Sequence, residues 1–128
     1  MDSNKLIIQR YCGDCSLASL AMFLGCDYDD LLHLFENERK EGFPDGIWNH
    51  DIWAAANLYG VYFETKYGEQ FNRSKPAMVC LQSLNYEGRG HMLYWDGSSI
   101  YDPANAPIKY DSLPETINYA FQAIENGE

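Results

Sequence analysis

Hydrophobic residues follow a helical period in the first half of the chain and shorten into β-type runs in the second. Leu17, Leu20, Ala21 and Leu24 recur at helical spacing, and Gly25 offers a C-terminal stop, which predicts a first helix opening near Cys15. Asp27, with Asp30 three residues on, reads as an N-cap and acidic first turn leading into Leu31, Leu32, Leu34 and Phe35, a short second helix. Gly42-Phe43-Pro44-Asp45-Gly46 breaks the pattern, and Asn49 then caps a third helix carrying Ile52, Trp53, Ala56 and Tyr59 before Gly60. Residues 61–66, 77–84, 91–95 and 99–102 are short, rich in β-formers and separated by turn residues, so they predict an antiparallel sheet. Ser112 and Glu115 have capping-box spacing, Pro114 lies in the first turn, and Ile117, Ala120, Phe121 and Ile124 share one face of a predicted last helix. The class is α+β, with N-terminal helices packed on a small antiparallel sheet and a final helix.

At 128 residues and 46% apolar composition the chain fits one domain spanning residues 1–128. No stretch approaches the roughly 20 apolar residues that cross a bilayer, and Met1-Asp2-Ser3-Asn4-Lys5 lacks the charged-then-apolar pattern of a secretory signal, so the expected location is the cytosol. A formal charge of −10 repels phosphate backbones and anionic lipid, which disfavours nucleic acid and membrane partners and suits a basic or neutral one. Cys12, Cys15, Cys26 and Cys80 are then expected as free thiols.

Two segments carry candidate chemistry. Gln9 and Cys15 stand six positions apart, with Cys15 where the first helix begins. A thiolate at a helix N-terminus is stabilised by unpaired backbone N–H groups and the helix dipole, and an amide just upstream can supply an oxyanion donor. The second segment is His91 and Asp102, with Asp96-Gly97 between them. A two-residue Asp-Gly turn would pair Trp95 with Ser98 and place His91 directly opposite Asp102, close enough for the carboxylate to hold the imidazole. A four-residue loop would keep both on one face but on a diagonal; a three-residue loop would separate them.

Other readings compete. His33 lies in the second helix's apolar run and His50 near the third helix's cap, which suits structural or surface roles, and Cys26 and Cys80 sit among apolar neighbours like inert core thiols. Cys12-Gly13-Asp14-Cys15 spells a Cys-x-x-Cys after the strand-like run Leu6-Ile7-Ile8, so a dithiol oxidoreductase is a rival, with Pro76 as its companion proline. Zinc on Cys12 and Cys15 would need Cys26, Cys80 or histidines to converge from afar.

The segment Gln9-x5-Cys15, with Asp14-Cys15-Ser16-Leu17-Ala18, resembles the helix-start motif of the bacteriocin-processing, double-glycine-leader peptidases among papain-like cysteine peptidases. Pro76-Ala77-Met78-Val79, Gly90-His91-Met92-Leu93 and Tyr101-Asp102-Pro103-Ala104 resemble that family's first core strand, histidine strand and Asp-Pro strand, in order. Ser16-Leu17 departs from the family's usual Gly and small residue. The resemblance implies a papain-like fold with Cys15 as nucleophile, His91 as general base and acid, Asp102 as orienting carboxylate and Gln9 as oxyanion donor. It implies no metal or organic cofactor, and a peptide or protein substrate. Acyl transfer and glutamine deamidation use the same groups, and a non-enzymatic acidic module that holds a partner peptide on this scaffold is the third reading.

Overall fold

The computed structural model describes residues 6–11, 13–35, 46–84, 89–104 and 108–124. Helix α1 (Cys15–Leu24) is buried all along Ser16 to Met22, as expected of a central helix whose small residues let neighbours approach on every side. Gly25 ends it with φ 71°, its N–H donating to the Ala21 carbonyl at 2.9 Å, a left-handed cap that glycine adopts at little cost. Helix α2 (Tyr28–Leu32) runs into a single 3₁₀ turn, His33–Phe35, and turns Tyr28, Leu31, Leu32 and Phe35 inward. Helix α3 (Asn49–Leu58) buries Ile52, Ala55 and Ala56. Asn49 does not cap it: Trp48 occupies the cap position, and the Asn49 amide donates instead to the Tyr119 hydroxyl at 3.1 Å.

Strands β1 (Phe63–Lys66), β2 (Ala77–Gln82), β3 (Gly90–Trp95), β4 (Ile100–Tyr101) and β5 (Tyr119–Ala123) form one antiparallel sheet in the order β1-β5-β2-β3-β4. Both faces of its centre are covered. Met78, Cys80, Met92 and Phe121 meet Leu17, Leu20 and Ala21 of α1 on one side; Val79, Leu81, Leu93 and Ala120 pack with Phe71 and Ile117 on the other. This is why β2 reads as the unbroken apolar run Ala-Met-Val-Cys-Leu. Truncating a fully buried Leu17 or Leu20 to Ala would cost about 2–5 kcal/mol.

Three further expectations are corrected. The predicted last helix is not formed: Tyr119–Ala123 is β5, inserted between β1 and β2, and the Asn118 N–H extends its ladder to the Cys80 carbonyl at 3.0 Å. Ala120 and Phe121 are adjacent yet both buried, on opposite faces, and a two-sided strand of this kind mimics a helical stripe once Ile117 and Ile124 are added. Leu6 to Ile8 is not a strand, although the Gln9 N–H donates to the Pro103 carbonyl at 2.8 Å. The hairpin, finally, is not a two-residue turn. Trp95 pairs with Ile100 and Tyr94 with Tyr101, which leaves a four-residue loop. The Asp96 carboxylate draws in the N–H groups of Ser98 and Ser99 at 2.8 and 2.7 Å, a local bonding pattern that favours the wider loop.

Cys12 and the break at 42–45 lie outside the described residues. Among the described residues no helix is long and apolar enough to cross a membrane.

Candidate active site

Cys15 is half-buried at the first position of α1, and its sulfur accepts the Met92 N–H at 3.4 Å. β4 pairs only with Tyr94 and Trp95, so the outward backbone groups of Met92 fall beyond the end of that ladder. Helix α1 supplies their partners, since the Ser19 hydroxyl donates to the Met92 carbonyl at 3.1 Å. Buried backbone groups demand such partners, and here the demand pins the start of α1 beside the residue that precedes Met92, His91.

The turn leading into Cys15 is closed by Asp14, which is 0% exposed. Its carboxylate accepts the N–H groups of Arg10 and Tyr11, each at 3.0 Å, and the Tyr28 hydroxyl. Its carbonyl accepts the Ala18 N–H at 3.1 Å and so opens the helix. Gln9 is buried, and its Nε2 donates to the Tyr11 carbonyl at 2.6 Å.

On the sheet side, His91 Nε2 lies 2.6 Å from Asp102 Oδ1. The same oxygen accepts the Ala104 N–H at 2.9 Å, and Oδ2 accepts the Tyr110 N–H at 2.8 Å. Extended by two residues, the observed register sets Leu93 opposite Asp102 and makes His91 and Asp102 diagonal neighbours, the arrangement expected of a four-residue loop. With Nε2 committed to Asp102, Nδ1 is the ring nitrogen left for the thiol. Burial alone would push the imidazole down, but its hydrogen bonds to Asp102 and then to Cys15 outweigh that, and it is pushed up to about 9. Burial would push the Asp102 carboxyl up, yet His91 and the two N–H donors hold it below the usual carboxylate value.

Cys15 and His91 open onto a cleft of about 240 Å³ lined also by Gly13, Gly46, Cys80 and Tyr119, with the exposed Arg89 at its mouth. Cys80 was expected as an inert core thiol; it is buried, but it also reaches this cleft, where burial pushes its thiol up. A larger hollow of about 430 Å³ at Phe23, Lys66, Lys75 and Gln122 holds neither cysteine nor histidine. His33 and His50 are exposed, and Cys26 is half-buried; none of the three lines the cleft. Among the described residues no group of three or more His, Cys, Asp or Glu is placed to hold a metal ion. Asp14, Ser19 and Tyr119 carried no expected role and Asn49 only that of a helix cap; the aspartate's place next to the cysteine was the one available signal.

No family profile matches the chain, and no curated protein does. Among solved structures it is similar to a double-glycine-motif protease from an AMS/PCAT transporter, determined in complex with the leader peptide, with a TM-score of 0.62 and 21% identity over 93% of this chain and 89% of that one. Over nearly all of this chain the α+β arrangement of helices on an antiparallel sheet is therefore the fold of that protease, a papain-like peptidase fold.

Proposed function

We propose that the chain is a cysteine peptidase or related amide hydrolase in which Cys15, His91 and Asp102 act as a triad and Gln9 as an oxyanion donor. One observation carries this reading: the imidazole held at 2.6 Å by a buried carboxylate presents its other nitrogen to a cysteine at a helix start. The imidazole takes the proton of the Cys15 sulfur, and the imidazolium and thiolate so formed stabilise each other. The Cys15 sulfur attacks a carbonyl carbon, and the resulting oxyanion is met by the Cys15 backbone N–H and the Gln9 amide. His91 then protonates the leaving amine, the C–N bond breaks, and an acyl-enzyme remains. Water, deprotonated by the now neutral His91, attacks the acyl carbon, the S–C bond breaks, and the acid is released with the Cys15 thiolate and the His91 imidazolium restored. The same acyl-enzyme could pass its acyl group to an amine.

A peptide is the substrate class we favour, because the fold neighbour was crystallised with a leader peptide and Cys15 and His91 face an open cleft and not the closed core. The overall charge of −10 favours a basic or neutral peptide. The test is acyl-enzyme formation. Incubated with p-nitrophenyl acetate and mapped by mass spectrometry, the wild-type chain should carry acetyl on Cys15, and Cys15→Ala should release p-nitrophenol no faster than buffer. Brief alkylation should likewise label Cys15 before Cys12, Cys26 or Cys80. Equal labelling of Cys12 and Cys15, with both lost on mild oxidation, would replace the hydrolase with the dithiol reading.

A further inference from the structure

Asp14 touches none of the reacting atoms, yet it is among the most deeply buried side chains of the molecule. A carboxylate taken out of water costs several kcal/mol unless its lone pairs are filled. The Arg10 guanidinium, one turn away, does not serve it: Arg10 lies 4.2 Å from the Tyr28 ring centre and bonds Asp29 at 2.8 Å. Asp14 is satisfied instead by three neutral donors, the N–H groups of Arg10 and Tyr11 and the Tyr28 hydroxyl. An exposed turn residue could close the same loop without that desolvation. The buried arrangement does something an exposed one would not: it folds residues 10 and 11 rigidly back onto residue 14. The Tyr11 carbonyl, fixed in this way, receives the Gln9 Nε2 at 2.6 Å, and the next residue after Asp14 is the nucleophile. One carboxylate thus sets the position of the Gln9 amide and of the Cys15 backbone N–H at once.

We infer that Asp14 is a positioning residue that holds the two oxyanion donors, the Gln9 amide and the Cys15 N–H, in register before substrate arrives. This rests on the hydrolase reading above. An asparagine could not replace it, because its NH₂ group would face one of the three donors and force the turn apart. Tyr28→Phe removes one donor from outside the turn and leaves both backbone bonds.

The experiment compares two reactions of the same sulfur. Iodoacetamide alkylates Cys15 by displacing iodide, and no oxyanion develops. p-Nitrophenyl acetate acylates it through a tetrahedral oxyanion: an S–C bond forms, and p-nitrophenolate leaves. Asp14→Asn should slow acetylation of Cys15 by up to about 10²-fold, the cost of misplacing donors by an ångström, while its alkylation stays near the wild-type rate. Tyr28→Phe should show the same selectivity at smaller amplitude, and it decides the matter should Asp14→Asn fail to fold. In a double-mutant cycle, Gln9→Ala should slow acetylation and adding Asp14→Asn should slow it little further, because both act on one hole. Equal losses in the two reactions, or fully additive losses in the cycle, would overturn the inference. So would wild-type acetylation in both variants, which leaves the hydrolase reading standing. A wild-type protein that is not acetylated at Cys15 at all would remove that reading and this inference together.

Discussion

Two buried carboxylates flank the cleft, Asp14 next to Cys15 and Asp102 behind the His91 ring, and their hydrogen-bond sets are nearly the same. Each accepts two backbone N–H groups and one side-chain donor. The side-chain donor is where they part. Burial and the neighbouring Asp14 hold the Tyr28 hydroxyl well above the usual phenol value, so it stays neutral at any working pH. His91, pushed up to about 9, carries its charge through the neutral range and loses it above. Asp102 therefore partners an imidazole that titrates, and Asp14 a hydroxyl that stays neutral. In the proposed mechanism the same bonding pattern serves proton transfer on one wall of the cleft and shape on the other.

The contrast should break most sharply on Asp102→Ala. Without the carboxylate the imidazolium loses its largest favourable partner, the ring its fixed tautomer, and acetylation of Cys15 should fall on the order of 10²–10⁴-fold. Alkylation of Cys15, followed against pH, should set in at higher pH than in wild type, whereas Asp14→Asn should leave that profile in place. An unchanged profile in Asp102→Ala would mean that another group orients His91.

A second effect is confined to the sheet side. On the proposed mechanism His91 must be protonated to hand a proton to the leaving group, so amide cleavage should decline as pH rises through about 9. Rates on a peptide amide across that range check it, and a decline centred near the ordinary histidine value would show that Asp102 does not hold the proton.

Stability separates the two walls by a smaller margin. The folded-state value of His91 lies above its unfolded value of about 6.5, so its contribution is complete below about 6.5 and is lost as pH rises through about 9. Asp102 is held below its ordinary value, so its contribution is present above about 3.9 and is lost as pH falls through its folded-state value. Urea midpoints should accordingly show a gap between wild type and His91→Ala that is widest near pH 5.5 and narrows by pH 9.5. The gap between wild type and Tyr28→Phe should be flat over the same range.

The placement of Cys15, His91 and Asp102 was more legible in the sequence than the sheet that carries them. Cys15 was readable because a helix start shows itself in Leu17, Leu20, Ala21, Leu24 and Gly25, and His91 with Asp102 because even parity across a hairpin keeps both on one face whether the loop has two residues or four. β5 was not readable. Its Ala120 and Phe121 are buried on opposite faces by β1 and β2, partners more than 35 positions away, and no local pattern announces that pairing. Asp14 escaped for a related reason. A carboxylate beside a cysteine reads as a surface charge until Tyr28, fourteen residues on, is folded over it.

The smallest effect expected is at Asp96, the remaining acidic residue of the hairpin, which separates loop geometry from site chemistry. Its carboxylate organises the four-residue loop by accepting the N–H groups of Ser98 and Ser99, and its Oδ2 accepts the Tyr101 hydroxyl at 3.2 Å. These donors hold its carboxyl below the ordinary value despite the opposing effect of burial. Asp96→Ala removes the bonds at a partly solvated tip, where water can replace them, so the loss should be about 1 kcal/mol of stability. The Tyr94–Tyr101 and Trp95–Ile100 pairs lie between the tip and His91 and are held by their own ladder, so the diagonal contact with Asp102 should survive. Urea unfolding should therefore register the change, while Cys15 alkylation against pH stays at wild type. If the alkylation profile moves as it does in Asp102→Ala, the loop and not the strand ladder sets the His91 to Asp102 diagonal, and the two walls of the cleft differ in rigidity as well as in charge.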